Sequence, residues 1–356
     1  MKITIEKDCL YKWINKVQRA TGSGLIALTG VLFEAEGQDL KISATDLEIA
    51  IQHTIRDITV DEPGKALIPA RFFNEVLRKL SGPITLETEG IKLKIKTEYL
   101  DASVNIMEPS DFPEMPILNE PKEIEIPAKE LKDALNKVIF AAARDESRPI
   151  FTGVLLETGP EGLNMVATDT HRLSLYTHQI TNSVEIKTVV PGKAIKEVIR
   201  NAGGEAIKIQ VDGKTVKFIC GDTEITARAI DGEFPNYRQV IPTAKEEALL
   251  TINKARLLLA IERAMIFTDQ QRIIRMKGDT SFSITGSSGL FGEIKEKLAI
   301  GHQGIEVTMA IDGEFLRRGI KAMTSEEVSI KYYGKFSPLI IQEKDYTQIV
   351  LPVRTE

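Results

Sequence analysis

The chain has 356 residues, of which 42% are hydrophobic and 27% are charged, and its formal net charge is −5 at pH 7. At about 150 residues per domain, this length predicts two or three folded domains and excludes both a disordered chain and a small disulfide-stabilised fold. We expect neither a membrane span nor a signal peptide, because the sequence shows no long apolar run and begins as an alternating strand. Cys9 and Cys220 lie far apart, so we expect free thiols and a cytoplasmic protein.

The most informative feature is internal repetition. Asn15–Val17 recurs as Asn136–Val138 at an offset of 121 residues, and Ala44–Asp46 recurs as Ala167–Asp169 at an offset of 123. Further matches follow in the same order, and a weaker third copy begins near Ile252. Several features in one order at a nearly constant offset predict domains of one fold.

In chain order, each copy is predicted to contain a helix, strands, a second helix and further strands, which is an α+β arrangement. In the first copy the strands are predicted at Gly30–Phe33, Leu40–Ala44, Ile49–Ile55, Ile84–Glu87, Ile91–Lys96 and Ala102–Asn105. In the third copy the helices are predicted at Lys254–Ile266 and Gly313–Met323. Loops that contain proline, near Leu118 and Ile241, divide the chain into domains at 1–118, 119–241 and 242–356.

Each of the six predicted helices carries basic residues at spacings that place them on one face. These residues are Lys12, Lys16 and Arg19, then Arg71 and Arg78, Lys137 and Arg144, Lys193, Lys196 and Arg200, Arg256 and Arg263, and Arg317 and Lys321. Any one such face is typical of a solvated helix. Recurrence on six helices favours contact with DNA phosphates instead, which binds duplex DNA without reading its sequence.

Motifs for common enzymatic sites are absent from the sequence. It has no GxxxxGK[ST] loop, GxGxxG, HExxH, GxSxG or paired CxxC, so we expect no catalytic residue, no metal and no cofactor. Asp169 and His171 form the most enzyme-like pair, and a hydrolase that uses them is one alternative. The other interpretation, which we favour, is a structural turn in which Thr168 or Asp169 bonds the backbone.

At this point the residues suggest a family. The three-copy layout, the stretch Ala167–Leu173, the stretch Gly232–Arg238 and the terminal Val350–Arg354 together resemble the bacterial DNA polymerase III beta subunit family, the sliding clamps. The resemblance implies a head-to-tail homodimeric ring in which each chain supplies three clamp-type domains, with helices lining a pore and antiparallel sheets outside. It also implies a processivity factor that encircles duplex DNA and tethers the replicative DNA polymerase, with no enzymatic activity of its own.

The same resemblance implies two sites. A pocket between domains two and three is expected to bind short peptides of the polymerase, the clamp loader, and repair and mismatch-repair proteins. Its implied residues are Arg148, Phe151, Thr168, His171, Arg172, Leu173, Pro235, Val240, Ile349, Leu351, Val353 and Arg354. The implied dimer interface brings a strand of domain one against a helix end of domain three, at Ala102, Val104, Ile106, Ile266 and Phe267.

One residue departs from the family pattern. Thr170 stands where the family usually has glycine, so a positive φ at this position would strain threonine. A plain interaction scaffold of the same fold, without a role on DNA, is the remaining alternative.

Overall fold

The computed structural model describes residues 1–180, 184–279 and 281–354. The chain forms two compact units, Met1–Leu131 with Lys196–Ala229, and Lys132–Ile195 with Ile230–Glu356. All strand pairs recorded among the described residues are antiparallel, so the α+β prediction is confirmed. None of the helices in these three ranges is long and apolar enough to cross a membrane.

Six α-helices form within the described residues, as the repeat predicts. They are α1 Lys7–Val17, α2 Ala70–Leu77, α3 Ala128–Ile139, α4 Gly192–Asn201, α5 Lys254–Ile266 and α6 Gly313–Ala322. Helix α5 has the predicted bounds, and α6 ends one residue before the predicted Met323. Both helices begin at capping side chains: Asn253 accepts a hydrogen bond from the Arg256 amide, and Asp312 accepts from the amides of Glu314 and Phe315.

The strands follow the same order in each repeat. The first repeat has β1 Lys2–Glu6, β2 Gly30–Glu36, β3 Asp39–Thr45, β4 Ile49–Ile55, β5 Thr59–Glu62, β6 Gly64–Pro69, β7 Pro83–Glu89, β8 Lys92–Lys96 and β9 Asp101–Asn105. The second has β10 Lys122–Pro127, β11 Gly153–Gly159, β12 Gly162–Thr168, β13 Arg172–His178, β14 Lys187–Pro191, β15 Ala206–Asp212, β16 Thr215–Cys220 and β17 Thr223–Arg228. The third has β18 Ala248–Asn253, β19 Ile273–Gly278, β20 Phe282–Ser288, β21 Gly292–Leu298, β22 Gly301–Gly304, β23 Val307–Asp312, β24 Glu327–Tyr332, β25 Leu339–Glu343 and β26 Tyr346–Val350.

The six strands predicted for the first repeat are confirmed as β2, β3, β4, β7, β8 and β9, with ends that shift by at most three residues. Every repeat then reads strand, helix, strands, helix and three strands. The first and third repeats carry an additional short strand, β5 and β22 respectively. The repetition seen in the sequence is therefore a repetition of structure.

Neighbouring repeats share sheets. In the first unit, a five-stranded sheet has the order β5-β1-β7-β8-β9, and an eight-stranded sheet has the order β10-β15-β16-β17-β4-β3-β2-β6. The pair β17–β4, with Ala227 opposite Ile49, joins strands of the second repeat to strands of the first. Backbone hydrogen bonds thus continue from one repeat into the next.

The second unit is built in the same way. A nine-stranded sheet has the order β14-β11-β12-β13-β26-β25-β24-β18-β22, and a four-stranded sheet has the order β21-β20-β19-β23. Here β13–β26 joins the second repeat to the third, with Leu173 opposite Ile349. By this pattern, and within the part of the chain that the structure describes, β9 at the edge of the first unit and β21 at the edge of the second are the strands left without such a neighbour.

The helices of each unit bury an apolar face against these sheets. In the first unit, Leu10 and Ile14 of α1 are fully buried, and Phe73 of α2 meets Phe33 edge to face with ring centroids 5.9 Å apart. In the second unit, Leu257 of α5 and Ile320 of α6 belong to one buried cluster with the sheet residues. Each such side chain contributes roughly 1.5–3 kcal/mol by leaving water, so the amphipathic spacing of the helices fixes which face remains outside.

Candidate functional site

The turn between β12 and β13 shapes one wall of the site. The Thr168 hydroxyl donates to the carbonyl of Arg172 at 2.6 Å and accepts from the amide of Thr170 at 3.1 Å. A carboxylate oxygen of Asp169 accepts from the amides of His171 and Arg172, both at 3.1 Å. Thr170 has a φ of 75°, so the expected strain is present.

The equivalent turn of the first repeat has the same hydrogen bonds. The Thr45 hydroxyl donates to the carbonyl of Ile49 and accepts from the amide of Leu47, and Asp46 accepts from the amides of Glu48 and Ile49. Leu47 has a φ of 77°, which matches Thr170. Because the first repeat builds this turn without a histidine, the structural interpretation of Thr168 and Asp169 is confirmed and the turn gives no support to the hydrolase.

An apolar pocket of about 210 Å³ opens beside this turn in the second unit. The turn contributes Thr168, Thr170, Arg172 and Leu173. The other walls come from three separate segments, and their residues are Phe151, Phe234, Pro235, Tyr237, Val240, Ile349 and Leu351. Phe151 and Phe234 meet edge to face, with ring centroids 6.4 Å apart. A concave, mostly apolar surface with a few polar groups is typical of a ligand pocket.

Tyr237 is held in the pocket wall by an ion-pair network. Its hydroxyl donates to Glu157 at 3.0 Å, and the guanidinium of Arg238 lies 2.8 Å from the same carboxylate. Burial, and then the hydrogen bond to Glu157, raise the pKa of Tyr237. Burial alone would raise the pKa of Glu157, but hydrogen bonds from Tyr237 and Arg238 outweigh it and lower that pKa. The tyrosine therefore stays neutral and fixed near neutral pH.

Among the described residues, Arg172 is the one charged side chain in the pocket wall, and it is only 7% exposed. Its Nε donates to Asp169 at 2.9 Å, and its guanidinium lies 4.3 Å from the ring centroid of Phe315 and 5.7 Å from that of Phe140. Burial lowers the pKa of Arg172, and Asp169 opposes that shift. Its Nη1 has no hydrogen-bond partner within the described part of the chain. A buried cation with an unused donor is costly unless a ligand meets it.

The structure brings together eight of the twelve residues that the sequence suggested for this pocket. Arg148 and His171 line a neighbouring cavity instead. Val353 and Arg354 are not among the described residues that line this pocket: the chain leaves β26 after Val350, and the Val353 amide donates to the carbonyl of Ala310 at 2.8 Å.

Three pocket residues escaped the sequence analysis. Thr170, Phe234 and Tyr237 all lie within the two stretches that carried the family resemblance. Tyr237 could have been found from its place in Phe234–Arg238, because a buried tyrosine beside an arginine needs a partner for its hydroxyl.

Most of the predicted DNA-facing residues lie on the helices. Lys12, Lys16, Arg71, Lys137, Lys193, Lys196, Arg200, Arg256, Arg263, Arg317 and Lys321 are helical, whereas Arg19 lies in a short 3₁₀ helix and Arg78 follows the last residue of α2. Several of these cations are paired with carboxylates, including Arg263 with Glu296 and Arg317 with Glu314.

Two members of this set are placed differently from the prediction. Helix α3 ends at Ile139, so Arg144 lies in the following loop and does not share a helix face with Lys137. The Lys137 ammonium lies 3.5 Å from Glu343, and its side chain is 16% exposed. It also lies over the rings of Tyr176 and Tyr346, so this lysine is directed into its own unit.

The suggested interface residues occupy two kinds of position. Ala102 and Val104 lie on the edge strand β9 and Ile106 just beyond it, and Val104 is only 8% exposed because it faces its own core. Ile266 ends α5 with 70% of its surface exposed, and Phe267 caps that helix. Another edge strand, β21, is preceded by exposed Leu290 and Phe291, and neither residue was suggested from the sequence.

Comparison with known proteins agrees with this architecture. Three domain models of the DNA polymerase III beta subunit match the chain: the N-terminal domain at residues 1–116, the central domain at 125–236 and the C-terminal domain at 238–354. The "Beta sliding clamp" proteins of Staphylococcus epidermidis and Staphylococcus aureus are each 27% identical over 376 aligned positions, covering all of both chains.

Solved structures show the same likeness. The DNA polymerase sliding clamp from Bacillus subtilis has a TM-score of 0.95 at 25% identity, and a putative DNA polymerase III beta subunit from Eubacterium rectale has a TM-score of 0.94 at 26% identity. Each covers the whole of both chains. Repeated α+β domains with shared sheets are thus the fold of the sliding clamps. The chain belongs to the DNA polymerase III beta subunit family, the bacterial sliding clamps of DNA replication.

Proposed function

We propose that the chain acts as a homodimeric ring that encircles duplex DNA and tethers the replicative polymerase, without catalysis of its own. Membership of the sliding-clamp family makes it a processivity factor of DNA replication. Tethering raises the effective concentration of a polymerase at its template and needs no reaction at the clamp. The three domains of each protomer would span 1–118, 119–241 and 242–356.

The unpaired edge strands β9 and β21 are the observation that supports a ring. Within the chain, the last strand of the second repeat pairs with β4, and the last strand of the third repeat pairs with β13. By the same rule, β9, the last strand of the first repeat, needs a partner equivalent to β4 and β13. That equivalent is β21, and both strands lie at sheet edges. A head-to-tail pairing of β9 with β21 of a second protomer, twice, would close a ring and leave neither edge unpaired.

Pairing of β9 with β21 would also define how the interface residues suggested from the sequence make contact. Ala102, Val104 and Ile106 would contribute through the backbone of this edge and through side chains beneath it. Ile266 and Phe267, with exposed Leu290 and Phe291, would supply apolar contact on the other side. The small side chain of Ala102 would leave that part of the seam loosely packed.

The basic helix faces would line the pore. Exposed cations such as Lys12, Lys196 and Lys321 would contact phosphates without reading bases, which permits sliding. Lys137 is not part of this surface, because Glu343 and two tyrosines hold it.

The apolar pocket would receive short peptides of the proteins that work on the clamped DNA. Phe151, Leu173 and Ile349 offer contact to apolar side chains, while Thr168 and Arg172 supply polar groups that orient a peptide. The polymerase, the clamp loader, and repair and mismatch-repair proteins would compete for this one site.

Retention on DNA of different topology tests the ring. The protein is loaded by a clamp loader with ATP onto a nicked circular plasmid, and half of the sample is then cut to linear form in moderate salt. A ring stays on the circle and slides off the linear ends. Equal loss from both, with a loader that retains another clamp on the same circle, would contradict the proposal.

A further inference from the structure

The first unit contains a pocket at the turn between β3 and β4, which we call the first-unit pocket. Its volume is about 280 Å³, compared with about 210 Å³ for the apolar pocket of the second unit. Thr45 and Leu47 of this turn line it, as Thr168 and Thr170 of the equivalent turn line the apolar pocket. The two pockets therefore occupy corresponding places in the two units.

The shared sheets extend this correspondence beyond the turn. Where β4 pairs with β17, Ala50 lies opposite Thr226. Where β13 pairs with β26, Leu173 lies opposite Ile349. Each of these four residues lines the pocket of its own unit, so each pocket opens at the joint where the last strand of one repeat meets the sheet of the repeat before it.

Next to the turn, the first-unit pocket is more apolar than its counterpart. By the same strand register, buried Ile49 occupies the position of Arg172. Leu47 occupies the position of Thr170, with a similar positive φ. Pro116, from the segment that connects the first two repeats, adds another apolar group. A hydrocarbon group of a ligand can therefore leave water here without displacing a buried cation.

Positive charge enters the first-unit pocket from β17 and from the residue before β16. Arg228, the last residue of β17, occupies the position of Leu351, and Lys214 immediately precedes β16. The two are close on the sheet, since Thr215 lies opposite Arg228. Glu48 of the turn is the carboxylate among the described residues that line this pocket, so the lining carries two cations and one anion. An apolar group beside a negative charge matches this lining.

Apolar side chains around the first-unit pocket are exposed to solvent. Leu47 is 59% exposed, and Leu25 and Ile26, in the loop before β2, are 61% and 79% exposed. This loop contacts the turn, because a Cβ atom at Gly22 would lie 3.1 Å from the Cβ of Asp46. Exposed apolar residues gathered beside a pocket are typical of a site that another molecule covers.

We propose that the first-unit pocket is a second docking site for an extended peptide segment of a partner protein, one with an apolar side chain next to an aspartate or glutamate. The apolar side chain would contact Ile49 and Leu47, and the carboxylate would face Lys214 and Arg228. The inference goes beyond the proposed function of the apolar pocket and rests on it as the precedent for a peptide at such a joint. Because the two linings differ, the two pockets would prefer different segments.

DNA phosphate and a second copy of the chain are the competing occupants. Lys214 and Arg228 would attract a phosphate, but the apolar residues beside the turn offer it nothing and Glu48 repels it. A second copy is proposed to pair through β9 and β21, whereas β4 and β17 at this pocket already pair with each other. The lining therefore favours a peptide.

Fluorescence anisotropy on the full chain tests the proposal, with the apolar pocket disabled by Val240→Asp. Val240 lines that pocket and is 40% exposed, so the substitution adds a charge there without opening the core. The probe is a fluorescein-labelled peptide with a leucine and a phenylalanine next to an aspartate, and its counterpart has asparagine instead. We expect the Val240→Asp protein to bind the aspartate probe saturably, and about threefold or more tightly than the counterpart.

Further variants on this background assign the remaining binding to the first-unit pocket. Leu47→Asp adds a negative charge at the rim, and aspartate tolerates the positive φ of this turn, so the fold is preserved. It should weaken binding at least about fivefold. Lys214→Gln with Arg228→Gln should reduce the aspartate preference to less than about twofold. Phe336→Asp, the same change at an exposed residue that lines neither pocket, is the matched control and should leave binding unchanged.

The failures of this inference and of the proposed function are distinct. If the wild-type protein binds the probe and Val240→Asp abolishes binding, or if Leu47→Asp leaves the remaining binding intact, the second docking site is wrong while the apolar pocket keeps its proposed function. If Val240→Asp changes nothing and Leu47→Asp alone weakens binding, the function proposed for the apolar pocket is wrong and the first-unit pocket is the peptide site. If the wild-type protein binds neither peptide, both proposals fall.

Two further results would identify a different occupant. If a short DNA duplex displaces the probe and the asparagine counterpart binds equally well, the first-unit pocket binds phosphate. If Leu47→Asp raises the dimer dissociation constant in sedimentation velocity, the surface is an interface between copies of the chain. Either result would overturn the proposal.

Discussion

Thr170 adopts a left-handed backbone conformation that threonine rarely occupies, and it does so at the rim of the candidate pocket. For a β-branched residue this conformation costs about 1–2 kcal/mol, and the surrounding hydrogen bonds of Thr168 and Asp169 must impose it. The same turn holds Leu47 in the same conformation in the first repeat, so the strain belongs to the turn and not to one side chain.

Replacing Thr170 by glycine should therefore stabilise the protein. The relief of strain exceeds the added freedom of glycine in the unfolded chain, and we expect the free energy of unfolding to rise by about 0.5 kcal/mol. Thr170→Ala keeps a Cβ and hence most of the strain, so it serves as the matched control. Urea unfolding of the three proteins measures the difference. A glycine variant no more stable than the alanine variant would show that the turn relaxes around threonine.

At the level of single residues, the sequence predicts the turn well and the pocket partly. Thr168 and Asp169 are recognisable because short polar side chains that bond their own backbone mark turns. Val353 was suggested by the family resemblance alone, and local sequence carries no information on where the chain leaves β26. Arg172 lines the apolar pocket, but its contact with Phe315 joins residues more than 140 positions apart and could not be predicted from local sequence.

Edge strand β9 is the element on which dimer formation would depend. The Ile106 amide donates to the carbonyl of Ile91, so alternate amides on this strand point toward β8 and those between them, including the amide of Ser103, point away from it. The outward amides are the groups that a second protomer would pair with.

A proline at Ser103 should weaken the dimer and preserve the fold. Ser103→Pro removes an outward amide that takes no part in the pairing with β8, and we expect the dimer dissociation constant to rise at least about tenfold. Sedimentation velocity across a concentration series gives the constant, and far-UV circular dichroism checks the fold. Ser103→Ala keeps the amide and should dimerise normally. An unchanged constant for the proline variant would place the interface elsewhere.

Elements were predicted more reliably than their ends and partners. Helices α5 and α6 follow from apolar spacing, and six strands follow from alternation. The prediction that Lys137 and Arg144 share a helix face is wrong. A spacing of seven residues places two side chains on one face only while the helix continues, and α3 ends at Ile139. The partner of Lys137, Glu343, lies 206 residues away and could not be read from local sequence.

The net charge of −5 conceals the distribution of charge that matters for DNA. Carboxylates neutralise some helical cations, as Glu296 does for Arg263, while Lys196 and Lys321 remain exposed on α4 and α6. A negative molecule can still bind a polyanion when its exposed cations share one surface.

Removing exposed and engaged lysines should have different effects on DNA binding. Lys196→Gln with Lys321→Gln should lower the slope of log affinity against log salt by up to about two for a linear duplex, since two phosphate contacts are lost. Lys137→Gln should leave the slope unchanged, because that ammonium is committed to Glu343. Anisotropy titrations across a salt series measure the slope. An equal change of the slope in the double variant and in Lys137→Gln would mean that the exposed lysines on the helices contribute no more to phosphate contact than the paired one.

Because neighbouring repeats share sheets, each repeat has two edge strands that can pair with another repeat. One end offers a strand equivalent to β4 and the other a strand equivalent to β17, so an isolated middle repeat, cut at the loops near 118 and 241, would expose β13 and β17 together. We expect such a fragment to associate with further copies of itself through both of these edge strands. Covalent fusion of three repeats satisfies the inner joints and leaves one end of each kind. If the protomer forms the proposed ring, pairing with a second copy would engage the two remaining ends in the way that β17–β4 and β13–β26 already engage the inner ones.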